Sequence, residues 1–162
     1  MTDMLDNPAA EKTPWFLAGN YAPVFNEVTD TNLRVTGSIP KSLTGLYVRN
    51  GSNPKSGTAG HWFFGDGMVH GIRIEAGDAK WYRNRYVRTP KLAKGLDSMD
   101  MEAMFDPTAS AANTHVLGHA GRIWALEEGH LPWELTPELE TIACDDFGGK
   151  LKTAFTAHPK LC

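Results

Sequence analysis

Met68-Val69-His70-Gly71-Ile72-Arg73-Ile74-Glu75, the turn Ala76-Gly77-Asp78, and the return Lys80-Trp81-Tyr82-Arg83-Asn84-Arg85-Tyr86-Val87-Arg88 form the stretch that decides the fold class. Met68, His70, Ile72 and Ile74 recur with a period of two, and Arg73 and Glu75 take the opposite face. That is the period of a strand and not of a helix. The return leg is rich in aromatic and β-branched residues, which suit a pleated surface. The whole predicts a β-hairpin.

Working outward, the same grammar repeats. Leu33 to Gly37 alternates as a strand, and Gly45 to Arg49 follows once Pro40 has interrupted it. Asn50-Gly51 and Asn53-Pro54 are strong turn dipeptides, and residues 51–60 read as a loop. Downstream, Thr114–Leu117 and Arg122–Glu127 flank a tight His119-Ala120-Gly121 turn; Leu139–Ile142 and Thr153–Ala157 are further strand candidates. Lys91 to Phe105 is the one stretch that reads as helical or irregular. Strands at roughly ten-residue spacing with Gly/Pro turns predict an all-β fold, a sandwich or a propeller. No internal repeat is visible, although irregular propeller blades would hide one.

Before residue 33 the pattern is different. Residues 1–14 are polar and bracketed by Pro8 and Pro14, so a loosely draped lead is expected. Trp15, Phe16, Tyr21, Pro23 and Phe25 then give apolar anchors without helical spacing. The plan is an extended arm over 1–32 and a β domain over 33–162.

Composition limits the function classes. The 162 residues are 41% hydrophobic and 22% charged, as in a soluble globular domain. Sixteen basic and 19 acidic side chains give a net charge of −3, with no basic block to engage nucleic acid. No apolar run approaches the roughly 20 residues of a membrane span. The start lacks a secretory pattern, so a cytoplasmic location is expected. Cys144 and Cys162 do not make a disulfide framework, and Cys144 reads as a small, at least half-buried apolar residue.

Six histidines are the main chemical resource: His61, His70, His115, His119, His130 and His158. No CxxC, HExxH, Walker, Rossmann or GxSxG pattern accompanies them. His115 and His119 stand four apart in strand-and-turn surroundings, where that spacing does not converge. His61 and His70 flank Gly65-Asp66-Gly67, which reads as turn chemistry wedged by aromatics: glycines at positive φ, and an Asp bonding its own backbone. Glu127-Glu128 closes a strand, and alternation turns the two to opposite faces. The inward one is either partnered, for instance by a histidine N–H as in carboxylate–histidine–metal relays, or solvated at the strand end. His158 precedes Pro159, which biases the backbone away from helix; read alone, it is either a ligand at a rigid exit or a satisfied core histidine.

Taken in order, several segments resemble the carotenoid cleavage oxygenase family, which includes apocarotenoid and lignostilbene dioxygenases and retinoid isomerohydrolases. They run through Gly45-Leu46-Tyr47-Val48-Arg49-Asn50-Gly51-Ser52-Asn53-Pro54, His61 to Gly71, Tyr82 to Thr89, Ala125-Leu126-Glu127-Glu128 and Thr156-Ala157-His158-Pro159-Lys160. The resemblance covers residues 33 to 160. It implies a seven-bladed β-propeller with Fe(2+) held by four histidines, three of them braced by glutamates. His158 matches the first iron ligand, and Glu128 matches the first bracing glutamate. The other three ligands have no counterpart here, so the chain is expected to hold the opening blades of an incomplete propeller, inactive alone.

The implied reaction is oxidative cleavage of a conjugated C=C bond, with an apolar conjugated small molecule and O2 as partners. Glu127 stands where lignostilbene-type members typically carry a lysine, which points to a carotenoid or apocarotenoid. A stilbene-cleaving enzyme of the same family, a non-catalytic β module binding a partner or apolar ligand, and a metal hydrolase built on His61, His70, His115 and His119 are the alternatives. Peripheral membrane contact of the full-length protein stays open.

Overall fold

The computed structural model of the protein describes residues 13–160. The residues before 13, which include most of the expected loose lead, and Cys162 lie outside the described residues. Ten regular elements follow in order: β1 (Thr29–Asp30), β2 (Gly45–Ser52), β3 (Gly67–Glu75), β4 (Asp78–Tyr86), α1 (Pro90–Lys94), α2 (Met101–Phe105), β5 (His115–His119), β6 (Arg122–Leu126), β7 (Trp133–Leu135) and β8 (Thr141–Cys144). They build two four-stranded sheets, ordered β1-β4-β3-β2 and β5-β6-β7-β8, with every pairing antiparallel. The fold is all-β, in four-stranded units of the kind that make propeller blades.

The predicted hairpin is β3–β4, with Glu75 opposite Asp78. Its turn is two residues and not three. Ala76 (φ 49°) and Gly77 (φ 82°) both take left-handed backbone, as do Ala120 (φ 48°) and Gly121 (φ 76°) between β5 and β6. Two successive positive φ values give the turn whose twist matches the flanking strands.

Both faces of β3 are covered at its start. Val69 packs with Val87, Ala112, Ala125, Leu135 and Leu139 in the core between the sheets, whereas Met68 packs with Tyr86 and Leu92 on the other side. The expected apolar face (Met68, His70, Ile72, Ile74) is thus one of two buried surfaces. Complete burial of side chains the size of Met68 and Leu139 is worth about 2 kcal/mol each.

Four expected features differ. Asn50-Gly51 is not a turn but lies inside β2, opposite Val69 and Met68. Leu33–Gly37 makes no ladder: it pairs with neither edge strand of its sheet, β1 or β2, and Val35 is exposed. The last strand starts at Thr141, because Leu139 adopts φ 68° and inserts its buried side chain between the sheets. Thr153–Ala157 is irregular, fixed by the single backbone bond Phe155 N to His130 O (3.0 Å). The stretch 91–105 resolves into two single-turn helices, α1 and α2. Thr89 caps the first, its hydroxyl accepting from Leu92 N at 3.3 Å.

The arm is held by two asparagines that imitate a strand edge. Asn53 accepts from Val24 N (2.7 Å) and donates to Val24 O (2.8 Å); Asn84 accepts from Val28 N (2.7 Å) and donates to Asn26 O (2.9 Å). Asn84 is fully buried. Asn84→Leu keeps the volume and removes both bonds, at about 2 kcal/mol, which raises the detached fraction of the arm roughly 30-fold. Limited proteolysis within 22–30 should accelerate accordingly, and an unchanged cleavage rate would show that the arm is held by other contacts.

Candidate active-site cleft

Where the sheets meet, side-chain bonds weld them. Asn50 in β2 donates to Ala112 O (2.7 Å) and His115 O (3.0 Å), and Asn113 donates to Phe63 O (2.8 Å) and Gly65 O (2.7 Å). Beside this seam opens a cleft of about 740 Å³. Its polar wall includes His70, Thr114, Glu127, Glu128, His130 and His158, and Trp62 and Phe63 belong to its apolar side.

Gly65-Asp66-Gly67 packs tightly at the seam, but not through positive φ. Neither glycine has it. A Cβ on Gly65 would sit 2.5 Å from Ser52 Oγ and 2.8 Å from Pro54 N; one on Gly67 would sit 2.2 Å from Ala112 O. Close approach is what these glycines permit. Asp66 also works at a distance: Oδ2 accepts from Lys55 N (2.9 Å), and Oδ1 accepts from the buried Lys91 ammonium (2.9 Å). Its bonds are therefore to other segments and not to its own turn.

β6 delivers the two glutamates to the cleft. Glu128 is exposed, with Oε2 3.4 Å from the Thr114 hydroxyl. Glu127 is the half-buried one of the pair and bonds to His130. Burial pushes the Glu127 carboxyl up, but the bonds from His130, the Gly129 amide and Ser110 outweigh it, and the net shift is downward.

His158 lies on the irregular closing segment. Buried Ala157 anchors that segment and Phe155 packs on Phe147 (5.7 Å between ring centroids), while the His158 N–H donates to Thr156 Oγ1 at 3.2 Å. The imidazole is exposed and lines the cleft, its ring centroid 6.0 Å from that of His115. Among the described residues no partner engages its ring nitrogens. The same residues contain no group of three His, Cys, Asp or Glu able to hold a metal. The described part therefore fits one corner of a metal site: a single imidazole with a carboxylate, Glu128, on the same cleft.

The other histidines fall into place. His61 Nδ1 accepts from Phe63 N (3.2 Å) and caps the short helical turn Trp62–Phe64. His70 shares a 2.8 Å bond with the Tyr82 hydroxyl; burial and then the Arg49 charge lower its pKa to about 4, so it is neutral. His115 and His119 occupy opposite ends of β5, about 13 Å apart at strand rise, and do not converge. The Cys144 thiol is pushed up to about 11, by burial first and then by neighbouring carboxylates, which suits a half-buried apolar role. The sequence reading missed the Glu127–His130 pair, although the i, i+3 spacing after a strand end was the available signal.

Comparison with known proteins places this geometry. The family model described as "Retinal pigment epithelial membrane protein" matches residues 21–162. The chain is 47% identical over 160 residues to a carotenoid cleavage oxygenase of Mycobacterium tuberculosis (strain ATCC 25618 / H37Rv), covering 94% of this chain and 32% of that protein. The crystal structure of Pseudomonas brassicacearum lignostilbene dioxygenase superposes with a TM-score of 0.78 at 33% identity, over 93% of this chain and 34% of that one. Cobalt-substituted Synechocystis apocarotenoid oxygenase gives 0.70 at 28% identity, over 85% and 33%. The chain thus spans about a third of the length of the relatives it matches. With the blade-like sheets and the ordered motifs ending at His158, these matches establish that the chain belongs to the retinal pigment epithelial membrane protein family, that of the carotenoid cleavage oxygenases.

Proposed function

We propose that this chain forms part of a non-haem iron(II) dioxygenase that cleaves a conjugated C=C bond of a carotenoid or apocarotenoid, O2 contributing one oxygen atom to each of two carbonyl products. The supporting observation is His158: an imidazole free of other partners among the described residues, on a pinned segment, opening onto the cleft that Glu128 also lines. His158 would be one iron ligand, and Glu128 would brace a further ligand histidine. All-imidazole ligation suits ferrous iron and leaves positions for dioxygen. The chain's own residues supply the surroundings: Trp62 and Phe63 offer apolar wall to a polyene, and buried Ala157 with the Phe155 N–His130 O bond holds the segment that carries His158.

A stilbene substrate is the second reading, favoured by the similarity to a lignostilbene dioxygenase. Against it, the position before Glu128 carries a carboxylate engaged by His130 and not an ammonium for a phenol. Iron-loaded full-length protein is expected to take up O2 and release two carbonyl products from an apocarotenoid faster than from a hydroxystilbene. The reverse preference would transfer the assignment, and cleavage of neither would remove it. Glu128→Ala should retain the fold and weaken iron binding about 10- to 100-fold in chelator competition. An undiminished affinity would deny Glu128 its bracing role.

A further inference from the structure

The loop after β6 contains a pair that the proposed reaction does not use. His130 Nδ1 meets Glu127 Oε1, and His130 Nε2 lies 2.7 Å from the carbonyl oxygen of Ala103 in α2. A carboxylate and a backbone carbonyl only accept, and a neutral imidazole has one N–H to give. The Glu127 carboxyl is ionised in this setting, because Oε2 accepts the Gly129 amide (2.9 Å) and Oε1 faces the Ser110 hydroxyl (3.4 Å). Both contacts of the ring are satisfied only if both nitrogens carry protons.

We propose that His130 is held as an imidazolium that clamps α2 to the end of β6, and that this wall of the cleft loosens when the ring loses a proton. The inference rests on the chain's own geometry and is independent of the dioxygenase reading. The charged groups acting on the ring are Glu127, from the end of β6, and Asp106, just after α2, both acidic. Asp106 is itself fixed by Thr108, and Glu102 of α2 is engaged by Lys94 of α1. The closing segment contributes only the Phe155 amide, on the His130 carbonyl. α2 needs such a tether: five residues form little more than one turn, and no side chain caps its start.

These surroundings raise the His130 pKa above 6.5, first through the Glu127 bond, with burial opposing. The stabilisation is therefore complete below the unfolded value and is lost as pH rises through the higher folded value. The neutral ring keeps one N–H, so either the Ala103 carbonyl or the Glu127 carboxylate goes without its donor.

Hydrogen–deuterium exchange by mass spectrometry on the full-length protein tests this. Corrected for intrinsic rates, the amides of residues 102–106 should exchange about tenfold faster at pH 9 than at about pH 6. In His130→Gln, which does not titrate, the corrected rate should be the same at both. A flat wild-type rate, or a pH step that survives in His130→Gln, overturns the clamp. Should His130→Gln not fold, Glu127→Gln removes the charge that retains the proton and should move the step to lower pH; an unmoved step overturns the proposal equally.

Discussion

A Gly67→Ala protein is expected to be severely destabilised, by about 3 kcal/mol or more. The added Cβ would lie 2.2 Å from Ala112 O, with Ala111 O and Ala112 C both at 2.7 Å. All three are backbone atoms, so no side-chain rotation relieves the clash. The obstructing segment cannot easily retreat. Ala112 is completely buried at φ 47°, its amide donates to Ser110 Oγ (2.9 Å), and its carbonyl accepts from Asn50 (2.7 Å). Gly67 is itself fixed on both sides, donating to Ala111 O (2.8 Å) and accepting from Val87 N (2.9 Å). Moving either segment would open the junction beside the cleft. Gly118→Ala is the matched control, since a Cβ there meets nothing within 4 Å; it should change stability by about 0.5 kcal/mol or less. Thermal unfolding of the two full-length variants should separate them by many degrees. Equal midpoints would mean that the sheet junction is far softer than its contacts indicate.

Gly67 also shows what a single sequence discloses and what it withholds. That Gly65-Asp66-Gly67 is a constrained turn could be read directly. That its glycines serve close approach could not, because the obstructing Ala112 lies 45 positions downstream of Gly67 and reaches it only through the sheet junction. The β3–β4 and β5–β6 hairpins were legible because their determinants are local: alternation, aromatic and β-branched residues, and an Ala-Gly turn. Leu33–Gly37 has the same alternation but joins neither open edge of its sheet, β1 or β2, and strand pairing is a property of the assembled sheet. Leu139 defeated the reading of its strand because a left-handed leucine at the core is a tertiary choice that local propensity disfavours.

At the candidate site, alternation foresaw that Glu127 and Glu128 diverge, but it sets Glu128 on the face of Trp124 and Leu126, whereas the half-buried, partnered carboxylate is Glu127. The partner, His130, lies only three residues on, yet its second bond, to Ala103, joins positions 27 apart and left no local trace. His158 was legible only through its motif. Its exposed position on an irregular segment gives no periodic signal, and His115, whose ring centroid lies 6.0 Å away, is distant in sequence.

The central claim is that His158 holds iron, and metal content tests it most directly. Full-length His158→Ala, purified alongside wild type and His119→Ala, should lose most of its iron while retaining its circular dichroism spectrum, because an exposed side chain contributes little to packing. His119→Ala, at the far end of β5, should keep the wild-type stoichiometry. A folded His158→Ala protein carrying as much iron as wild type would contradict the account.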